Sequence, residues 1–284
     1  MPIFARLPLP LGVHVDAGGF AICELHAVAR GAQLRRVIFE RFDGRDPAQA
    51  LAAAVRANGW RSRKCVVAVA TECASLHVLH LPGMPARERR AAAYLEAERL
   101  APAREVPLSI DVEPLAGAWL LAAAPRAEVL GAAERARAAG LRVRAVDVET
   151  LALARAAGAL PGDAIVCGGS ARSILHLVTE SAPFVRAWSR RVSCTELAAP
   201  LAEALEFAAS RGFGAARRVL LAGTLAAEDG GSARLQDALG RVVAPAELCA
   251  QVAVLEHPLD YVRASAPHWL TACGLALWSL ASCA

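Results

Sequence analysis

Cys65, Cys73, His77 and His80 are the one grouping whose residue types suit a metal. On a strand, however, His77 and His80 point to opposite faces, because strand side chains alternate, and cannot readily share a zinc. Two core thiols and two half-buried histidines are the reading that follows. Ser170, directly after Gly168-Gly169, has the look of a nucleophile at a sharp turn, but no Gly-x-Ser-x-Gly frame surrounds it and a hydrolase is not expected. Lys64 is the only lysine, and no glycine-rich loop leads into it, which closes the loop-plus-lysine route to nucleotide phosphates. What remains is a pair of similar turns. Val15-Asp16-Ala17-Gly18-Gly19 is echoed by Ile165-Val166-Cys167-Gly168-Gly169, and each glycine pair leads into an apolar strand. A further strand, Arg218 to Ala222, runs into Gly223, as a strand ending at a ligand cleft does. By themselves, Asp16 reads as a turn residue bonding its own backbone and the glycine pairs as hairpin turns.

Strands and helices must carry these turns. Gly12 to Glu24 reads as a β-hairpin and Val37 to Phe42 as a third strand. Asp46 to Ala57, with Pro47 in the first turn, reads as a helix that Asn58-Gly59 ends, and Cys65 to Ala70 as a strand covered on both faces. Beyond residue 73 come a strand (Leu76 to Leu81), a Pro82-Gly83-Met84-Pro85 turn and a helix from Ala86 to Leu100. Strands at Val106 to Val112 and Ala118 to Ala123, a helix from Arg126 to Ala139 and a strand from Leu141 to Val146 follow. The expected divisions are 1–74 for the start of a first lobe, 75–146 for an inserted subdomain, 147–163 for a connection, 164–263 for a second lobe and 264–284 for a closing helix returning to the first.

Composition bounds the function. The chain has 284 residues, of which 56% are hydrophobic, enough for one large domain or two lobes. Its apolar excess is mostly alanine spread among charges, so the closing segment reads as a buried helix and not a bilayer span. No secretion signal is evident, and irregularly spaced cysteines fit free thiols in a reducing cytoplasm. A net charge of +4, with basic residues in short scattered groups, makes nucleic acid an unexpected partner.

Longer stretches carry a resemblance. Leu79-His80-Leu81-Pro82-Gly83-Met84, then Glu96 to Pro102, Ala139-Gly140-Leu141, Val146 to Arg155 and Gly274-Leu275-Ala276-Leu277 are similar, in this order, to the PilM family of actin-like proteins of type IV pilus assembly. The resemblance implies an α/β, actin-like fold, ribonuclease H-like and duplicated, with two lobes and a small inserted subdomain. It implies ATP with Mg²⁺ in the cleft, phosphates wrapped by the backbone N–H groups of two hairpins and a carboxylate from each facing the metal. The positions so assigned are Asp16, Gly18, Gly19, Gly168, Gly169, Ser170 and Gly223, with Glu149 near the place of the catalytic water.

The sequence departs from that pattern. Cys23 and apolar residues replace the usual hydroxyl and lysine, the echo puts Val166 where the second aspartate belongs, and the adenosine corner shrinks to Gly223-Thr224-Leu225. The expectation is a scaffold whose nucleotide site is wholly or partly lost, at the cytoplasmic face of the inner membrane, without enzymatic activity or a structural metal. The resemblance further implies a membrane-anchored, PilN-like partner whose cytoplasmic N-terminal peptide docks on the insert and its junction with the first lobe, with Leu81, Pro82, Met84, Tyr94 and Leu95 as contact residues. The cytoplasmic part of a type II secretion L-protein shares this fold and is an equal reading. The alternative is an active ATPase or small-molecule kinase of the same superfamily, against which stand Val166 and the reduced Gly223 corner.

Overall fold

A computed structural model describes residues 8–100, 106–115, 117–169, 171–179, 183–254 and 269–281. The first hairpin forms as expected: β1 (Leu11–Val15) and β2 (Gly19–Val28) pair antiparallel with Val15 opposite Phe20. β3 (Gly31–Arg41) starts six residues earlier than the apolar run suggests, because its pairing with β2 continues past a bulge at Glu24/Leu25 to the Val28–Gly31 turn. α1 (Pro47–Ala57) is set by sequence: the Asp46 side chain accepts the Gln49 N–H and Pro47 opens the first turn. β4 (Lys64–Val69) and, much later, β8 (Arg142–Val148) extend the sheet in parallel.

Between them lie β5 (Ser75–Leu79), α2 (Ala86–Leu100), β6 (Leu108–Leu115), β7 (Ala118–Pro125) and α3 (Arg126–Ala138). β5, β7 and β6 make a separate three-stranded sheet. α2 lies on it through Ala93 and Ala97, which meet Leu79, Leu121 and Ala123. The Arg89 guanidinium sits 3.8 Å from the Trp119 ring centre and fixes the helix across β7. The insert is smaller than the 75–146 expected. Arg142–Val148 pairs with β4, and α3 packs Ala132 and Ala136 beside Leu51 and Val55 of α1, so both belong to the first lobe.

α4 (Glu149–Ala157) leads to the second lobe: β9 (Asp163–Gly168), β10 (Ser173–Leu177), β11 (Phe184–Trp188), α5 (Cys194–Ser210), β12 (Arg218–Gly223), α6 (Gly231–Leu239) and β13 (Val242–Pro245). α5 begins with a reciprocal cap, Ser193 accepting the Glu196 N–H and Glu196 accepting the Ser193 N–H. β14 (Val252–Val254), placed by the sequence reading in the second lobe, pairs instead with β3 of the first sheet. The sheets run β14-β3-β2-β1-β4-β8 and β11-β10-β9-β12-β13. Without β14, both have the order third-second-first-fourth-fifth, with an antiparallel meander followed by two parallel additions. The chain is therefore a duplicated fold.

α1 and α3 cover the outer face of the first sheet, and α5 and α6 that of the second. Between the lobes run α4 and α7 (residues 269–276), followed by α8 (Trp278–Ala281). Trp269, Leu270 and Cys273 join Cys23 and Leu25 of β2, Leu153 of α4, and Ile165 and Leu220 of the second sheet in one core. This closeness needs glycine. A Cβ on Gly12 would lie 1.7 Å from the Ala272 carbonyl oxygen, and one on Gly274 would lie 1.7 Å from that of Ala152. Among the described residues no helix is long and apolar enough to cross a membrane.

Candidate functional site

The β1–β2 and β9–β10 turns face each other across the interlobe cleft. The Asp16 N–H donates to the Gly19 carbonyl, and the Gly169 N–H to that of Arg172. With Val15 opposite Phe20 and Gly168 opposite Ser173, Asp16 corresponds to Gly169 and Gly19 to Arg172. The sequence echo is thus three residues out of step. Val166, which it matched to Asp16, is a fully buried core residue of β9, and the true counterpart of Asp16 has no side chain. Ser170 lies outside the described residues.

Asp16 caps its own turn: its Oδ1 accepts the N–H groups of Gly18 at 2.6 Å and Gly19 at 2.8 Å. Gly168 and Gly223 end adjacent parallel strands, where a Cβ on Gly223, at φ 64°, would lie 1.9 Å from the Gly168 carbonyl oxygen. That carbonyl accepts the Thr224 N–H at 2.7 Å. The assigned residues Asp16, Gly18, Gly19, Glu149, Gly168, Gly169 and Gly223 all line one cavity of about 210 Å³, together with His14, Cys167, Arg172 and Thr271.

Glu149, the first residue of α4 and 5% exposed, is the hub of this cleft. Its Oε1 lies 3.0 Å from His14 Nε2, while its Oε2 accepts from the Thr71 N–H and hydroxyl, both at 3.3 Å, and from Arg172 Nη2 at 2.6 Å. Arg172 Nη1 reaches Glu72 Oε1 at 2.7 Å. Burial pushes the Glu149 carboxyl up, but His14 and then Arg172 more than reverse this and hold it at about 2. Burial, reinforced by the charges of Glu149 and Asp16, pushes the Cys167 thiol up to about 12. Behind the hub, His176 Nδ1 lies 3.2 Å from the Thr150 carbonyl, and burial brings this imidazole down to about 4. Among the described residues no group of three or more histidine, cysteine or acidic side chains is placed to hold a metal.

His14 and Arg172 were missed by the sequence reading. Arg172 is recoverable only by aligning the two hairpins on their pairing, which puts it where the first has Gly19.

A second concave surface lies where the insert meets the first lobe. Ala122 and Ala124 point away from α2, and Ala124 packs with Val69 and Val148; Val129 and Val146 lie beside them, and Ser109, Asp111 and Asp147 also line the groove. Leu81, Pro82, Met84, Tyr94 and Leu95 do not line it. They sit on α2 and the segment leading into it, with Tyr94 and Leu95 exposed and Leu81 packed on the α2 cluster.

The duplicated sheets around a two-hairpin cleft define an actin-like fold. In particular, the chain is similar to a chain of the PilM-PilN type IV pilus biogenesis complex, at 22% identity and a TM-score of 0.79, over 96% of this chain and 98% of that one. It is also similar to the cytoplasmic domain of EpsL, an inner membrane component of the type II secretion system of Vibrio cholerae (13% identity, TM-score 0.52, 96% and 94% of the two chains). A Bacteroides thetaiotaomicron protein with an actin-like ATPase fold and unknown function matches at 11% identity and a TM-score of 0.53, over 87% and 95% of the two chains. No family model and no curated protein matches the sequence.

Proposed function

We propose that this chain is a non-catalytic scaffold of a type IV pilus or type II secretion assembly, acting at the cytoplasmic face of the inner membrane. The observation that carries the reading is the near end-to-end correspondence with a chain of a PilM-PilN complex. On this reading the partner is a PilN-like, membrane-anchored protein, bound through an extended cytoplasmic peptide. The groove between insert and first lobe is its seat: a small-residue floor of Ala122 and Ala124 leaves room for a backbone. Such a peptide gains main-chain hydrogen bonds along strand edges and specificity from a few pockets.

The cleft does not fit a magnesium-bound nucleotide. The Gly18 and Gly19 amides are taken by Asp16, Glu149 has bonded partners on both oxygens, and Gly169 offers no carboxylate.

The test is calorimetric titration with a synthetic peptide copying the cytoplasmic N-terminus of a PilN-like protein from the same organism. Micromolar binding that Ala122→Arg weakens at least tenfold is expected; no binding, or binding indifferent to that change, overturns the groove assignment. A parallel thermal melt with Mg-ATP should show no shift. Binding at about 100 times Kd stabilises by about 2.7 kcal/mol, at roughly 2–4 °C per kcal/mol, so a rise of about 5 °C or more refutes the loss of the nucleotide site.

A further inference from the structure

Arg172 joins parts of the molecule that a cleft ligand would otherwise have to join. It stands on the β9–β10 turn of the second lobe, yet its bonded carboxylates are Glu72 of the first lobe and Glu149, where β8 of the first sheet passes into the interlobe helix α4. Glu72 lies in the short helical turn after β4, and Glu149 follows β8 and is itself held by His14 of β1 and by Thr71. The Arg172 side chain is 22% exposed and that of Glu149 only 7%. We infer that Arg172 is a built-in cation that holds the two lobes closed without a bound ligand, bridging the cleft where a metal and its nucleotide would lie.

Separating the lobes by a few ångströms breaks both bonds and strips the buried Glu149 of its arginine partner. Removing one member of a buried ion pair leaves an uncompensated charge, which is why the open form is disfavoured. The cleft is also lined by Arg41, Arg191, Asp16 and His14, with Cys167 beside them; of the acidic groups, Glu149, Glu72 and Asp16 act on Arg172. Burial works against the Arg172 charge, but Glu149 and then Glu72 more than reverse this and raise its pKa, so both members of the bridge stay ionised at neutral pH. The bridge is drawn from cleft geometry and stands or falls separately from peptide binding in the groove.

Amide hydrogen exchange and small-angle scattering on nucleotide-free protein test it, using the wild type, Arg172→Met and Glu72→Gln. In Arg172→Met, exchange in the segments Val15–Phe20 and Gly168–Ser173 should quicken at least tenfold and the radius of gyration should grow, while β12 stays protected. Glu72→Gln, which alters a side chain 39% exposed, should quicken the same segments several-fold. It decides the matter if Arg172→Met does not fold. Wild-type exchange in both hairpins of a folded variant overturns the bridge, as does a wild-type protein that compacts and gains hairpin protection only when Mg-ATP is added.

Discussion

Glu149→Gln measures the cleft's buried charge through pH. Burial raises the Glu149 pKa, but pairing with His14 and then Arg172 reverses this and brings it from 4.5 to about 2. That difference corresponds to about 3 kcal/mol of folding free energy at neutral pH, at about 1.36 kcal/mol per pH unit. Because the folded value lies below the unfolded one, the contribution is complete well above pH 4.5 and is lost as pH falls toward 2. By the same linkage about 2 kcal/mol remains at pH 3.5 and about 1 kcal/mol at pH 2.5. Glutamine cannot titrate and cannot balance Arg172, so the variant should be less stable by about 3 kcal/mol at pH 7, with the gap closing to about 1 kcal/mol at pH 2.5. The Asp163 carboxyl, held down chiefly by Arg218, also drains stability in acid, but it does so in both proteins and cancels in the difference. Urea unfolding followed by circular dichroism at several pH values between 7 and 2.5 gives that difference directly. A gap that stays constant across the range, or is missing at pH 7, refutes the assignment of this buried charge to Glu149.

Two other substitutions separate roles that the sequence leaves merged. Asp16→Ala should cost about 2 kcal/mol by stripping the turn of a charged acceptor, whereas Asp16→Asn, whose amide oxygen still accepts, should cost under about 1 kcal/mol in the same unfolding assay. Equal losses would point to a role for the charge itself. Gly274→Val should lower stability by about 3 kcal/mol or more, because its Cβ would collide with the Ala152 carbonyl. Gly131→Ala in α3, where the nearest atom to a new Cβ is 3.6 Å away, should raise it by about 0.5–1 kcal/mol, and differential scanning calorimetry reads both.

Local chemistry was legible where it is strong. Asp46-Pro47 and Asn58 bounded α1, and α2 falls on the residues expected, since the proline-rich turn before Ala86 and Pro102 beyond Leu100 leave little choice. Pairing between distant segments was not legible. The strand at Arg142–Val148 reads the same whether it joins the insert or β4, and the three-residue Val252–Val254 carries almost no pattern of its own. The repeat was visible, but its glycines sit at different points of the two hairpins, inside the first turn and at the strand end of the second, so matching glycines shifted the alignment by three. The assigned cleft residues that the structure describes do converge on one cavity. What decides its character, Arg172 with His14 and Glu149, depends on contacts 23 and 135 residues apart in sequence, which no local pattern encodes.

The first sheet is finished by residues that follow the whole second lobe in sequence. Its outer strand, Val252–Val254, and the helix at 269–276 that seals the inner face of β2 both emerge from the ribosome after the whole second lobe. Cys23 and Leu25, fully buried at the end, therefore lack the cover of this helix until the second lobe has been made. Vectorial folding from the N-terminus is closed to this chain as a route to the native first lobe, and a nascent or truncated product ending before residue 269 would present an apolar sheet face to chaperones and to other chains.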